Sequence, residues 1–228
     1  MSNVTTRPAP PPTWVLRDGE TVAEVVPARG GLVSRLAIGR VAILATDDEA
    51  VYGDGRNVRG GIPILFPTAG RLKDDRYMAG GVWRELKQHG FARDLPCCVG
   101  QESRGAARLV MELESTEATL LAFSWEFRLE FTVEVIGRSL RILQSYENRS
   151  ETRMPLHAGF HPYFAIPDSE KSDARIEAPL ARAWDKVGGR EVPLQGFDLT
   201  APEVSLSILK TGETGATEST FARLTTSE

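Results

Sequence analysis

The stretch "WEFRLEFTVEV", residues 125–135, alternates apolar and polar side chains without a break. The apolar side chains occupy every second position, at Trp125, Phe127, Leu129, Phe131, Val133 and Val135. Successive side chains of a strand point to opposite faces of a sheet, so this stretch predicts a strand with one buried face and one face in water. A helix would scatter the same apolar residues around its circumference.

The segments around this stretch predict antiparallel neighbours. "IGRSL" supplies a turn with a glycine, "LRILQSYEN" would return as a hairpin partner, and "RLVMELE" would precede both as a third strand. Nearer the start, the apolar runs "TVAEVV", "LVSRLAI" and "VAILA" alternate with glycines in the same way. The nearest helix candidate, "KSDARIEAPLARAW", is interrupted by Pro179. The pattern predicts an all-β fold, either a sandwich or a barrel.

The composition narrows the class of protein. The chain has 228 residues, of which 41% are hydrophobic and 25% charged, as in a soluble globular protein. A net charge of -4 provides no basic field for nucleic acid, so a small molecule is the favoured partner. No apolar run is long enough to cross a bilayer, and "MSNVTTRPAPPPTW" lacks the apolar region of a secretory signal, which predicts a cytoplasmic protein.

The domain boundaries follow from local composition. Pro8, Pro10, Pro11 and Pro12 predict that residues 1–13 form a flexible tail without helix or sheet ladder. Residues 14–210 form the expected single domain. Residues 211–228 are rich in Thr, Ser, Gly and Glu, which predicts a weakly ordered end. The adjacent Cys97 and Cys98 suit neither a disulfide framework nor a zinc site, and we expect both to be buried small apolar residues.

Three stretches contain residue types that are common in catalytic and binding sites. "RGGIPILFPTAGRL", residues 59–72, has two prolines that exclude a central strand and predict a rigid loop wall. "KQHGFAR", residues 87–93, places an amide, an imidazole and a guanidinium around a glycine. "HAGFHPYF", residues 157–164, holds two of the three histidines of the chain, and in an extended conformation His157 and His161 point to the same side.

Several other kinds of site are disfavoured. A lone histidine in a β protein is more commonly a structural, hydrogen-bonded residue than a catalyst, and that alternative stays open for His157. The pair His157 and His161 lacks a third nearby ligand for zinc. No G-x-S-x-G elbow and no G-x-G-x-x-G or Walker motif is present. We therefore expect neither a metal nor another cofactor.

Four stretches taken in order resemble one enzyme family. "NVRGGIPILFPTAGRL", "KQHGFARDLP", "YENRS" and "HAGFHPYFAIPD" resemble the aldose 1-epimerase (galactose mutarotase-like) superfamily, near its hexose-6-phosphate 1-epimerase branch. The resemblance implies a large antiparallel β-sandwich with an open cleft for a sugar on one sheet. It also implies an isomerase that interconverts the α and β anomers of an aldohexose or hexose 6-phosphate by acid–base ring opening, without a cofactor.

The resemblance also implies roles for individual residues. His161 matches the general acid of the family, and His89 matches a second histidine that lines the sugar site. Gln88 and Arg93 match hydrogen-bond donors to hydroxyls or to a 6-phosphate, and Arg59 matches another ligand-facing position. The alternative for each arginine is an ion pair with an internal carboxylate such as Asp94.

The carboxylates of the family pattern are less well matched. Asp185 matches a sugar-binding acid of some members, with Asp198 as a competing candidate, and the glutamate base in a "VEPW"-like setting has no counterpart in this sequence. The resemblance therefore implies that the last strands are missing, which would leave open sheet edges and favour self-association. The chain is then a truncated enzyme, an enzyme with another carboxylate as base, such as Asp185, Asp198 or Glu203, or a sugar-binding module without turnover.

Overall fold

The structure is a computed structural model that describes residues 2–8, 11–53, 58–102, 106–177, 182–185, 190–193, 206–208 and 223–225. The chain divides into two compact units, Met1–Ala165 and Ile166–Glu228. This division falls inside the predicted domain of residues 14–210, whose extent stays a prediction. Within the described ranges, no helix is long and apolar enough to span a membrane.

The first unit consists mainly of strands. They are β1 (Ser2–Arg7), β2 (Thr13–Asp18), β3 (Thr21–Val26), β4 (Leu32–Ile38), β5 (Val41–Ala42), β6 (Ile64–Leu65), β7 (Arg76–Ala79), β8 (Val82–Glu85), β9 (Cys98–Glu102), β10 (Ala107–Glu114), β11 (Phe127–Ile136), β12 (Ser139–Asn148) and β13 (Gly159–Phe160). Short helices connect them: α1 (Asp48–Tyr52), α2 (Glu117–Ala122) and 3₁₀ turns at Pro27–Arg29, Lys73–Asp75 and Ala92–Asp94.

Strands β1 to β5 form an antiparallel sheet in sequential order. The prediction of a flexible tail is wrong for Ser2–Arg7, which pairs with Thr13–Asp18 along its whole length. Pro8, Pro11 and Pro12 lie between the two strands, where a missing N–H removes no ladder hydrogen bond. Val4 packs against the hydrophobic core, which gives this first strand a reason to stay on the sheet.

Strands β9 to β12 form a second antiparallel sheet, in the order β12-β11-β10-β9. Strand β11 contains most of the alternating stretch, and its neighbours β10 and β12 are the two strands that the sequence predicted for it. The apolar face is buried as expected, with exposures of 0% for Phe127 and Leu129 and 1% for Phe131 and Val133. Period-2 alternation therefore identified both the strand and its inner face.

The two sheets share one hydrophobic core. Leu16 and Val25 from the first sheet and Leu109 and Phe131 from the second are buried in the same cluster. Burial of apolar side chains between sheets is the main favourable term for such a layered fold. The prediction of an all-β fold of antiparallel sheets is confirmed.

Phe66 lies at the centre of an aromatic cluster in this core and is completely buried. Its ring makes edge contacts with Phe91, Phe123 and Phe127 at centroid distances of 5.9, 5.7 and 4.8 Å, and it stacks on Tyr146 at 6.0 Å. Aromatic pairs at these separations contribute beyond the area that they bury. The cluster thus joins the loop of residues 59–72 to the second sheet.

The two cysteines have different environments. Cys97 is buried, and this burial raises the pKa of its thiol to about 12. Cys98 is exposed, so the prediction that both are buried is wrong for Cys98. Cys98 is the first residue of β9, and the alternation of side chains along an extended backbone turns neighbours to opposite sides.

The second unit also consists of strands: β14 (Arg175–Glu177), β15 (Arg182–Asp185), β16 (Arg190–Pro193), β17 (Leu206–Ile208) and β18 (Arg223–Thr225), with a 3₁₀ turn at Asp168–Glu170. Strand β14 pairs with β18, and β15 lies between β16 and β17. The nearest helix candidate of the sequence thus supplies two strands. The weakly ordered end predicted for residues 211–228 contains β18, and its other residues lie outside the described ones.

We predict that Phe66→Ala destabilises the protein strongly, because it removes the ring on which four other aromatic rings pack. Replacement of a buried Phe by Ala costs about 3–5 kcal/mol in the free energy of unfolding. Phe164→Ala is the control, since Phe164 is 47% exposed. Urea unfolding followed by tryptophan fluorescence measures both variants, and equal losses of stability would contradict the central position of Phe66.

Candidate active site

The three stretches singled out in the sequence lie side by side in the first unit. Strand β6, in the middle of residues 59–72, pairs antiparallel with β13 of the "HAGFHPYF" stretch. On the other side, the Phe66 carbonyl accepts hydrogen bonds from the N–H groups of Phe91 and Ala92 at 2.9 and 3.3 Å. The predicted loop wall is therefore the element that brings the other two stretches together.

His161 has a fixed backbone and an exposed side chain. Its N–H donates to the Pro63 carbonyl at 3.1 Å, and two residues later the N–H of Tyr163 donates to Gly61 at 2.9 Å. The imidazole lies against the Tyr163 ring, with centroids 4.8 Å apart and planes tilted by 33°. One face of the ring thus lies against Tyr163, while the side chain as a whole remains exposed.

His89 lies next to His161 and is half-buried. The two imidazoles meet edge to face, with ring centroids 5.8 Å apart. The backbone of His89 is left-handed at φ 68°, and Gly90 continues at φ 67°. A Cβ at Gly90 would overlap the carbonyl group of Phe66, so this tight passage requires glycine.

Hydrogen bonds to Gly70 fix both the backbone and the ring of His89. The His89 N–H donates to the Gly70 carbonyl at 2.8 Å. In return, the Gly70 N–H donates to Nδ1 of the imidazole at 3.1 Å. These two contacts give the ring a defined orientation.

Charge near His89 favours its neutral form. Burial lowers the pKa of His89, and the positive charges of Arg93 and His161 lower it further. Nε of Arg93 is buried and has no hydrogen-bond partner among the described residues. Asp94 forms an ion pair with Lys87 instead of Arg93, which contradicts the alternative that Asp94 neutralises this guanidinium. Arg93 thus keeps a buried N–H donor without a partner among the described residues.

The other predicted site residues do not all lie beside the two imidazoles. Gln88 is exposed beside His89, and Arg59 is exposed just before Gly60. No ion pair joins Arg59 to a carboxylate of the residues that the structure describes. Asp185 belongs to the second unit, where its backbone pairs with Arg190 and Leu206. Asp198 and Glu203 lie outside the described residues.

His157, for which the sequence predicted no role, borders an apolar pocket. Its N–H donates to the Pro67 carbonyl at 3.0 Å, and its side chain is exposed. The pocket has a volume of about 200 Å³ and is lined by Pro67, Thr68, Leu72, Tyr77, Leu86, Phe123, Pro155, Leu156 and His157. Within the described part of the chain, no three His, Cys, Asp or Glu side chains are grouped to hold a metal ion.

Two residues of the site were missed by sequence reasoning. Tyr163 stands two positions after His161 in an extended segment, and this spacing alone would have placed the two rings on the same side. Gly70 contributes only its backbone and contacts His89 across 19 positions of sequence. A backbone contact between such distant residues leaves no signal in the side-chain pattern.

Comparison with known proteins identifies the family of this chain. The family model for aldose 1-epimerase matches residues 12–201. A curated protein of Salmonella typhimurium, named "Putative glucose-6-phosphate 1-epimerase", is 28% identical over 158 residues, which cover 68% of this chain and 48% of that protein. The chain thus spans about half of the length of this relative.

Solved structures give the same result for the fold. The Slr1438 protein of Synechocystis sp. PCC 6803 is 39% identical and superposes with a TM-score of 0.84, over 93% of this chain and 74% of that one. A galactose mutarotase related enzyme of Lactobacillus acidophilus is 20% identical, with a TM-score of 0.67 over 87% of this chain and 65% of that one. The second likeness shows the galactose mutarotase-like fold alone. On the match of its family model over most of its length, this chain belongs to the aldose 1-epimerase family.

Proposed function

We propose that this chain is a mutarotase that interconverts the α and β anomers of an aldohexose or a hexose 6-phosphate, with His161 as the general acid. The observation that carries the proposal is the pair of imidazoles with ring centroids 5.8 Å apart, one exposed and one half-buried. Imidazole is the side chain that gains and loses a proton near neutral pH. An exposed imidazole beside a neutral one suits a reaction that moves a proton on and off a sugar oxygen.

The reaction needs one proton donor and one proton acceptor. A base takes the proton of the anomeric hydroxyl while an acid protonates the ring oxygen, and the bond between C1 and that oxygen breaks. Rotation about the C1–C2 bond then presents the other face of the aldehyde, and the two protons return as the ring closes. His161, as imidazolium, would donate the proton to the ring oxygen and take it back on closure.

The remaining residues would bind the sugar. His89 and Gln88 offer hydrogen-bond donors for hydroxyl groups, and Arg59 and Arg93 offer guanidinium groups for a 6-phosphate. The buried, unpartnered Nε of Arg93 supports this assignment, because a buried donor without a partner costs free energy that a ligand would recover. Asp185 is our candidate for a sugar-binding acid, on its match to the family pattern.

The proton acceptor is the unassigned part of the proposal. The family pattern uses a glutamate, and Asp185, Asp198 and Glu203 are the candidates to replace it. A chain without an effective base would keep the cleft and bind sugar without interconverting its anomers. This sugar-binding module is the second candidate function, and the assays below separate it from the enzyme.

We predict that His161→Ala lowers the rate of anomer exchange by about 10²–10⁴-fold, the usual contribution of a general acid or base. Polarimetry of freshly dissolved α-glucose and α-galactose, and exchange NMR of glucose 6-phosphate, measure this rate. His157→Ala is the matched control, since it removes an exposed histidine of the same segment and should leave the rate unchanged.

The results divide the two candidate functions. A wild-type rate equal to that of buffer for every sugar would contradict the enzyme. Saturable heat in calorimetry with a hexose, without anomer exchange, would then support the sugar-binding module.

We also predict that Arg93→Gln weakens the binding of glucose 6-phosphate by about 10-fold to 100-fold, since hydrogen bonds to charged groups contribute about 1.5–3 kcal/mol. The affinity for glucose should change much less, because glucose has no phosphate to contact the guanidinium. Added salt should lower the affinity for glucose 6-phosphate and leave the affinity for glucose unchanged. Calorimetry at two salt concentrations measures these differences.

Arg138→Gln serves as the control for net charge, because Arg138 is exposed in the turn between β11 and β12. If glucose and glucose 6-phosphate bind equally well and salt affects neither, the proposed phosphate contact is wrong.

A further inference from the structure

The backbone N–H of Gly70 determines which ring nitrogen of His89 can carry a proton. Nδ1 accepts a hydrogen bond from the Gly70 N–H at 3.1 Å. A ring nitrogen that accepts a hydrogen bond carries no proton, so the proton of the neutral imidazole must lie on Nε2. The Gly70 backbone thus makes Nε2 the hydrogen-bond donor of the neutral His89 ring.

The conformation of Gly70 explains why a glycine occupies this position. Its φ is 124°, a value that other L residues rarely adopt, and no heavy atom lies within 4 Å of a Cβ built there. Space is therefore available for a side chain, and the backbone angle is what requires glycine. A substitution would be expected to rotate the peptide and move its N–H away from Nδ1.

The charges around His89 also favour its neutral form. Arg93 lies on the same segment, and His161 faces the ring from the neighbouring strand segment. Next to Gly70, the guanidinium of Arg71 is paired with Asp75 at 3.1 Å. Both groups that act on His89 are positive when charged, so they oppose a second proton on its ring.

We infer that Gly70 is a positioning residue that holds His89 as the neutral Nε2–H tautomer, so that His89 presents a hydrogen-bond donor to a sugar oxygen. The identity of the ligand, a sugar, rests on the proposed function. The tautomer of His89 and its dependence on Gly70 do not. The two histidines then have separate tasks: His89 orients the sugar without exchanging a proton, and His161 transfers the proton. A neutral His89 also avoids two adjacent imidazolium charges when His161 is protonated.

The test is NMR of the protein labelled with ¹⁵N at histidine, because the chemical shifts of the two ring nitrogens distinguish both tautomers and the imidazolium. Single His→Gln variants assign the three imidazoles. In the wild type, His89 should show only the Nε2–H tautomer, and it should stay neutral as the pH falls through about 6.5, the ordinary pKa of histidine. Gly70→Ala should give a mixture of tautomers and raise the pKa of His89, because the hydrogen bond that favours the neutral ring is lost.

Gly80→Ala is the matched control. Gly80 also has a positive φ, 56°, and no atom within 4 Å of an added Cβ, and it lies at the tip of the hairpin of β7 and β8. This variant also places Ala at a positive φ, and its His89 should keep the wild-type tautomer and pKa. A change confined to Gly70→Ala therefore reports the hydrogen bond and not a general loss of stability.

Three outcomes would overturn the inference: an Nδ1–H tautomer in the wild type, an imidazolium at neutral pH in the wild type, or an unchanged His89 spectrum in Gly70→Ala. If Gly70→Ala fails to fold, the wild-type spectrum alone still decides. The measurement needs no substrate, so it stands even if no anomer exchange is found. Where exchange is found, Gly70→Ala should shift the pH profile of the rate, and Gly80→Ala should not.

Discussion

Phe66 connects the core of the first unit to its candidate active site, and the geometry of both depends on this connection. Its ring packs against four other aromatic rings, while its carbonyl accepts two N–H groups from the segment that carries Arg93. Because the ring is completely buried, the carbonyl cannot move without disturbing the core. The buried position of Phe66 thus fixes the backbone of the segment that carries His89 and Arg93.

The strands could be predicted wherever one face is buried and the other is wet. In β11 the alternation of side chains reports this difference directly, and its partners β10 and β12 were found for the same reason. Strand β1 was missed, because the prolines that follow it dominated the interpretation of the whole segment. The prediction for Cys98 is wrong because it rested on the usual burial of cysteine and not on the alternation of adjacent side chains along an extended backbone.

The candidate site shows a similar limit. The family motifs indicate His89, His161 and Arg93 as candidate site residues, and the fold brings the three stretches that carry them or lie beside them together. The sequence could not give their contacts: Asp94 pairs with Lys87 and leaves Arg93 without that carboxylate. It also could not identify Gly70, because a backbone N–H is common to almost all residues and becomes informative only when the fold brings it to a ring nitrogen.

The two hydrogen bonds between Gly70 and His89 also close the base of the hairpin of β7 and β8. The chain leaves the site after Gly70, runs through β7 and β8 and returns at His89, and a further bond joins the Leu86 N–H to the Asp75 carbonyl. Residues at the tip of this hairpin, between Met78 and Trp83, can be added or removed without changing the separation of its two ends, whereas Leu72, Tyr77 and Leu86 pack against the core. The tip of the hairpin, where Met78 and Trp83 are exposed, is therefore a part of the molecule whose length and sequence can change while His89 keeps its place.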